Sequence, residues 1–346
     1  MDFKTKISRQ LEQPKPKPLL AVYDLAVLPY SFDIVHFICN AEIERIKNAC
    51  DSIKFIFVAH ANDPAPDRLD LVGKENYWQY IYNVMLECVR CYSGKKSILI
   101  FNNREEFVDF YESMEDSNTT FPTSYDPKNP PWYSGHNKLP FHCFGYGIEY
   151  FRQSSSYYCI SPPNDQISLA QKWLNKECDG RIPVTITLRE YNFSTNRNSS
   201  IKDWQQLVES YPEKQYQFIV LRDYDSLYTT PSISGKNVSY CNEAVIDASF
   251  RAALYQECEL NLGVNNGPMM LAMQNRSANF IIFKIVCNER GCKLEEAEKS
   301  TGLKFNDNIP SASRFQKLVW ETDDFKILKR ETDEMLAKLA VQNFED

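Results

Sequence analysis

Two stretches of this sequence carry residues suited to holding a phosphate. Arg189 closes the apolar run Ile182 to Arg189, and its planar fork can hold a diphosphate through paired hydrogen bonds that lysine cannot copy. A salt bridge to the neighbouring Glu190 is the alternative use. Leu262-Gly263-Val264-Asn265-Asn266-Gly267-Pro268-Met269 reads as strand, tight turn and helix start. Gly267 removes a side chain where a ligand could approach the backbone, and Pro268 suits a first helical turn. Such a helix start offers N–H groups and a positive dipole end to a phosphate, although an ordinary Asn-Gly turn accounts for the same residues. Arg197 and Lys202 lie on the loop and helix start after Arg189 and could add positive charge over a leaving group; solvated surface is the alternative for Arg197. Arg222-Asp223-Tyr224-Asp225 closes the next strand and could border a base or ribose. Glu243 and Asp247 share a helical face with Arg251, where a carboxylate could accept ribose hydroxyls and an Asp247–Arg251 ion pair is the simpler reading.

Any chemistry that takes a proton from a hydroxyl needs a general base. The N-terminal half offers Asp24, Asp33, His36, His60, Asp63, His136 and His142 at strand ends or loops. Asp33 follows the first strand at a loop–helix junction, where its alternative role is a carboxylate stabilised by the helix dipole. Asp24 lies inside an apolar strand, so burial with hydrogen bonds competes with catalysis. His60 ends a strand before the turn signal Asn62-Asp63-Pro64. Cys88-x-x-Cys91 has metal-ligand spacing without a second pair, so two helix-borne thiols are the expectation, with no metal and no cofactor.

The elements that must position these residues alternate. Residues 1–17 form a charged, Pro-Lys-Pro-Lys-Pro tail, expected to be flexible and extended. Strands are expected at Leu19–Val27, Ile53–His60 and Ser97–Asn102, with helices at Ser31–Ala49 and Glu75–Tyr92 between them. From about Ser113 to Gly147 the pattern breaks into a proline- and aromatic-rich stretch, either a solvated insertion or a loop whose rings suit sugar faces. A short strand at Tyr157–Ser161 and a helix at Ile167–Cys178 lead to a second run. It comprises strands Ile182–Arg189, Tyr216–Arg222, Leu260–Val264 and Asn279–Val286, and helices Ile201–Tyr211, Asn242–Glu257 (amphipathic) and Pro268–Asn275. A last helix spans Thr322–Asn343. Near-continuous apolar strands alternating with helices argue for parallel sheets covered on both faces. The expected fold class is therefore α/β: two Rossmann-like domains, 18–165 and 166–321, facing across a cleft, with a C-terminal helix at 322–346. Ligands of such sheets bind beyond the strands' carboxyl ends.

A chain of 346 residues with 43% hydrophobic and 25% charged residues can build two cores without staples. The net charge of −7 gives no diffuse basic field, which argues against nucleic acid as partner. The N-terminal 18 residues hold no apolar core of signal-peptide length, and no stretch of the sequence approaches a membrane span. The 11 cysteines are an odd count and many sit in apolar runs, so a reducing cytoplasm is the expected location.

The strand-Asn-x-Gly-Pro-Met pattern, here Asn265-Asn266-Gly267-Pro268-Met269-Met270-Leu271-Ala272, resembles the C-terminal signature of the heptosyltransferases, glycosyltransferase family nine. More broadly, residues 182–290 are similar to the nucleotide-binding half of two-Rossmann-domain (GT-B) glycosyltransferases. Ile182 to Arg189 matches the first strand of that half, and Asn198-Ser199-Ser200-Ile201-Lys202-Asp203-Trp204 its following helix start. An arginine at a strand end also resembles the fucosyltransferases of that fold, where it pairs the β-phosphate. Where the family has histidine this chain has Met270, and Asn266 stands in place of its acidic residue, which leaves the donor sugar open. The resemblance implies a nucleoside-diphosphate sugar as co-substrate, a glycan or glycolipid hydroxyl as acceptor, and metal-independent, inverting transfer. In that reading Arg189, Lys202, Arg222, Asp223, Glu243, Asn265, Asn266, Gly267 and Pro268 bind the donor, and Asp33, His36 or His60 supplies the base. A sugar-nucleotide epimerase or hydrolase, or a non-catalytic carbohydrate- or nucleotide-binding protein, would share the architecture. The chain is either free-standing or a domain of a longer polypeptide.

Overall fold

The computed structural model describes residues 17–59, 77–114, 119–123, 125–130, 148, 150, 158–192, 194–289 and 292–345. Two parallel sheets organise them, each built from the apolar runs seen in the sequence. In the first, β1 (Pro18–Asp24), β2 (Ser52–Val58), β3 (Lys96–Phe101) and β4 (Thr119–Phe121) stand in the order β3-β2-β1-β4. The register Pro18↔Ser52 through Asp24↔Val58 aligns β1 and β2 along their whole length. Helix α1 (Asp33–Lys47) follows β1. After β2 come α2 (Tyr77–Tyr80), a π-helical turn (Ile81–Leu86) and α3 (Glu87–Arg90), in the place of one regular helix. Helix α4 (Arg104–Glu112) follows β3 and starts at Asn103, whose Oδ1 accepts the Glu106 N–H at 2.9 Å.

The second sheet comprises β5 (Ile182–Thr187), β6 (Tyr216–Leu221), β7 (Val238–Tyr240), β8 (Leu260–Val264), β9 (Phe280–Phe283) and β10 (Gln316–Leu318), in the order β10-β9-β8-β5-β6-β7. The chain order reverses between β5 and β8, and the crevice expected of such sheets, their usual ligand position, lies beyond the carboxyl ends of these two strands. Around it lie α5 (Asn164–Cys178), α6 (Ile201–Glu209), α7 (Glu243–Ile246), α8 (Ala248–Glu257), α9 (Met269–Met273), α10 (Leu294–Thr301) and α11 (Phe325–Glu345). Helix α11 packs against α6 and β9 and buries Leu328, Met335, Leu336 and Leu339. Among the described residues no helix is long and apolar enough to cross a membrane.

Four expectations need correction. The helix expected over Asn242–Glu257 breaks at Asp247, which is extended (φ −136°, ψ 106°) and caps α8 by accepting the Ser249 and Phe250 N–H groups at 2.8 and 2.9 Å. Helix α8 is not amphipathic: Ala248 through Tyr255 are all buried, because it lies between α5 and the π-turn–α3 segment. With Asp247 engaged as a cap, Arg251 donates to the Ala244 carbonyl at 2.6 Å instead of following the expected i,i+4 pairing. The strand expected at 157–161 reduces to a bridge between Tyr92 and Ile160, Tyr157 lying outside the described residues.

One apolar core spans both sheets, running from Leu19 and Phe37 through Ile81 to Phe250, Tyr255 and Met269. At the junction a Cβ on Gly267 would meet the Cβ of Phe32 at 3.0 Å, so the Asn265–Pro268 turn presses on the start of α1. Glycine is needed there for close packing. Cys88 and Cys91 are buried at 0% exposure and pack as small apolar groups.

Candidate functional site

The crevice between β5 and β8 is built on a loop that closes on itself. The Leu188 N–H still bonds the Leu221 carbonyl at 2.9 Å, so the sheet ends at Arg189. The Arg189 N–H donates to Ser199 Oγ and the Ser199 N–H to the Arg189 carbonyl, both at 2.9 Å, which pins the two ends of the loop together. Inside it the Arg189 guanidinium donates to the Ser194 carbonyl at 3.0 Å and to Asn198 Oδ1, and lies 5.6 Å from the Tyr191 ring. Asn198 also bonds the Tyr191 backbone in both directions, at 3.2 and 2.8 Å. Arg189 is 6% exposed; burial, and after it the charge of Arg197, pulls its guanidinium below the ordinary arginine value.

Arg197 crosses the crevice: its Nη2 donates to the Asn265 carbonyl beyond β8 at 3.2 Å. Lys284, after β9 with a left-handed φ of 57°, donates to the Asn198 carbonyl at 2.7 Å and lies 3.2 Å from Asp323 Oδ1. Asp323 is 2% exposed, and its Oδ2 accepts the Ser200 N–H at 2.7 Å and the Trp204 indole N–H at 3.0 Å. One buried carboxylate thus fixes the start of α6 and the end of β9. Three cations, Arg189, Arg197 and Lys284, gather around one loop at the sheet's carboxyl edge. Arginines at such a position can hold an anion, and arginine favours an oxyanion with paired acceptors.

Neighbouring residues complete the rim. Arg222 forms a two-pronged ion pair with Glu190 at 2.7 and 2.8 Å, so the partner considered for Arg189 belongs to Arg222. The Glu190 N–H donates to Asp223 Oδ2 at 2.6 Å, and burial raises the Asp223 carboxyl against that bond and the nearby Arg251 and Arg189. Lys202, in the first turn of α6, and Glu243, at the start of α7, are exposed. Asn266 caps α9, its Oδ1 accepting the Met269 N–H at 3.2 Å, while the Met270 N–H bonds the Gly267 carbonyl at 3.0 Å. The open N–H groups expected there are therefore engaged, and α9 spans only Met269–Met273. Asn266 Nδ2 is buried without a hydrogen-bond partner among the described residues. On the β9–β10 side a groove of about 1070 Å³ is lined by Asn196, Lys284, Asn288, Lys293, Trp320 and Thr322.

From the first sheet, Asp33 stands half-buried at the start of α1, next to the Phe32 that meets Gly267, and its N–H donates to Ser31 Oγ at 3.1 Å. His36 lies one turn further, also half-buried. Asp24 is committed elsewhere, bonded to Arg104 and to the Tyr125 hydroxyl at 2.5 Å each. His60, Asp63, His136 and His142 lie outside the described residues, as does 131–147 of the aromatic stretch. Among the described residues no group of three or more His, Cys, Asp or Glu side chains converges as metal ligands would. Sequence reasoning missed Lys284, Asp323 and the Glu190–Arg222 pair. Only Lys284, a cation closing an apolar strand, carries a local signal of the kind that marks Arg189.

No protein-family model and no curated protein matches the sequence. The structure is similar to the family 9 glycosyl transferase of Veillonella parvula, with 12% identity, TM-score 0.52, 92% of this chain and 90% of that one covered. It is also similar to the ADP-heptose lipopolysaccharide heptosyltransferase II of E. coli, with 10% identity, TM-score 0.53, 94% of this chain and 99% of that one covered. The parallel order β10-β9-β8-β5-β6-β7, the second parallel sheet beside it and the terminal α11 give this chain the two-domain GT-B glycosyltransferase fold.

Proposed function

We propose that the chain is a glycosyltransferase that takes its sugar from a nucleoside-diphosphate donor held at the β5–β8 crevice. The observation that carries the reading is the Arg189–Arg197 pair. Two like charges are held together by backbone carbonyls and Asn198 at the carboxyl edge of a parallel sheet, and a bound diphosphate relieves their repulsion. In the transition state negative charge grows on the leaving diphosphate, and preorganised cations stabilise it there without a metal ion. Lys284 stands beside them, paired with Asp323, and Lys202 is exposed in the first turn of α6, where it could reach a bound diphosphate. The Asn265–Pro268 turn, with the buried Nδ2 of Asn266, borders the same crevice. Asp223 and Glu243 lie toward β6 and β7, where a ribose would meet carboxylates.

Asp33 is the base we assign for an acceptor hydroxyl, because it enters the junction beside Phe32 and Gly267; attack from the face opposite the leaving group gives inversion. The acceptor is a glycan or glycolipid hydroxyl. Release of nucleoside diphosphate from sugar nucleotides, followed with and without oligosaccharide acceptors and with a chelator, tests this. Acceptor-dependent release that persists in the chelator and falls at least about a hundredfold in Asp33→Asn supports the assignment. Equal release without acceptor identifies a hydrolase, and a chelator-sensitive rate overturns the metal-independent step.

A further inference from the structure

Residues 77–83, Tyr-Trp-Gln-Tyr-Ile-Tyr-Asn, are rich in aromatics and carry no charge. Tyr77 and Ile81 turn into the core, at 2% and 0% exposure, the ordinary use of an apolar helical face. Trp78 is half-buried against the same core, and Tyr82 turns outward. Their rings stack one turn apart, with centroids 6.0 Å apart and planes at 29°, and Tyr82 is 52% exposed. The pair stands on a packed base: Tyr77 meets Trp78 edge-on at 5.4 Å and Tyr30 at 5.3 Å, and Tyr30 meets Tyr80 at 6.2 Å. From the other sheet, the Tyr224 hydroxyl lies beside the Gln79 side chain, and Tyr228, further along the same loop, is 96% exposed. That loop leaves the carboxyl end of β6, so the aromatics sit on the rim shared by both sheets, beside the proposed donor crevice.

The composition of the patch selects its ligand. Exposed rings held rigid on a core mark a binding surface rather than scattered surface hydrophobes. Between Tyr77 and Val89 there is no lysine or arginine, so a phosphate backbone finds no counter-charge. The exposed residues of this stretch are Gln79 and Tyr82, an amide and a ring with a polar tip, with Trp78 and Asn83 half-buried beside them, not the aliphatic groove that takes an amphipathic helix. A sugar ring matches this pattern. Its C–H face carries slight positive charge and meets the negative face of an aromatic ring, while its hydroxyl rim reaches the amides of Gln79 and Asn83.

We propose that Trp78 and Tyr82, with Gln79 and the Tyr224–Tyr228 loop, form a carbohydrate platform that receives a neutral sugar ring. Its role as the acceptor platform rests on the transferase reading above; its binding of carbohydrate does not. The test is saturation-transfer NMR and calorimetry of the whole chain against neutral oligosaccharides of glucose, mannose, galactose and N-acetylglucosamine. Wild type, Trp78→Ala, Tyr82→Ala and Tyr82→Phe are compared, with the melting temperature as a check on folding. The expected result is binding of one series, weakened at least about tenfold in each alanine variant and retained in Tyr82→Phe, as loss of a stacking face predicts. Nucleoside-diphosphate affinity stays unchanged in the same variants. No saturation transfer from any oligosaccharide, or transfer indifferent to both alanine substitutions, overturns the platform. If oligosaccharide binds through the pair and no nucleoside diphosphate binds, the platform stands and the transferase reading falls.

Discussion

Arg189 shows how far single residues can be read. It is recognisable in the sequence as a cation closing an apolar strand, and its anchors Ser194 and Asn198 lie within ten residues of it. Lys284 and Asp323 are different, because they meet Asn198 and Ser200 only after the fold brings residues 86 and 123 positions apart together. No local pattern encodes such a contact. The Glu190–Arg222 pair likewise joins two strand ends 32 residues apart. Both its side chains are largely buried, at 14% and 7% exposure, so removing one charge strands the other. Glu190→Gln is expected to cost about 3 kcal/mol of unfolding free energy, measured by urea titration. A cost below about 1 kcal/mol would show that water reaches Arg222 freely.

Elements were legible wherever an apolar run was long enough to show a period. The strands β5, β6, β8 and β9 fall within the expected runs, and β1, β2 and β3 start one residue before theirs; most of the runs overshoot the carboxyl end of the strand because core-facing apolar side chains continue past the last ladder bond. β4, β7 and β10 have three residues each, too few for any periodicity to show. Helix α8 misled because it is buried on every side, and Asp247 breaks the pattern by preferring to cap. Asp323, just before α11, ties this last layer to the site. Asp323→Ala leaves the Ser200 and Trp204 donors and the Lys284 ammonium without their carboxylate, and is expected to cost about 3 kcal/mol and to weaken ligand binding at the crevice. Loss of stability without loss of affinity would detach Asp323 from the site. Within α11, burial alone would raise the Glu331 carboxyl, yet hydrogen bonds from Lys317 and Arg330 hold it below its ordinary value of 4.5. A depressed carboxyl stabilises the fold above pH 4.5, and that contribution disappears as pH falls through the lower folded value. Glu331→Gln is therefore expected to lower the melting temperature at pH 7 and to converge on wild type in acid; a pH-independent difference would refute the charge pairing.

At the scale of the whole molecule, the two parallel α/β units were legible as two alternating runs, whereas the way they meet was not. The junction depends on Gly267 lying against Phe32. The turn chemistry of Asn-Gly-Pro favours glycine there even with no neighbour close by, so nothing local in the sequence singles out that contact. Gly267→Ala places a Cβ 3.0 Å from Phe32 Cβ and is expected to cost about 1–3 kcal/mol by overpacking. The double variant with Phe32→Ala should recover part of that loss, giving a coupling energy above about 0.5 kcal/mol by urea titration. Strict additivity would mean that the two units do not meet through this pair.

The central claim is that Arg189 and Arg197 hold the diphosphate of a sugar nucleotide, and a thermal-shift titration with GDP, UDP, ADP and CDP tests it most directly. Wild type, Arg189→Ala and Arg197→Ala would be compared, with NAD as control. At a hundredfold excess over the dissociation constant a bound ligand stabilises the fold by about 2.7 kcal/mol, a readily measured rise in melting temperature. The account predicts that at least one nucleoside diphosphate produces this rise and that either substitution removes it. No rise with any of them, or a rise that survives both substitutions, would contradict it.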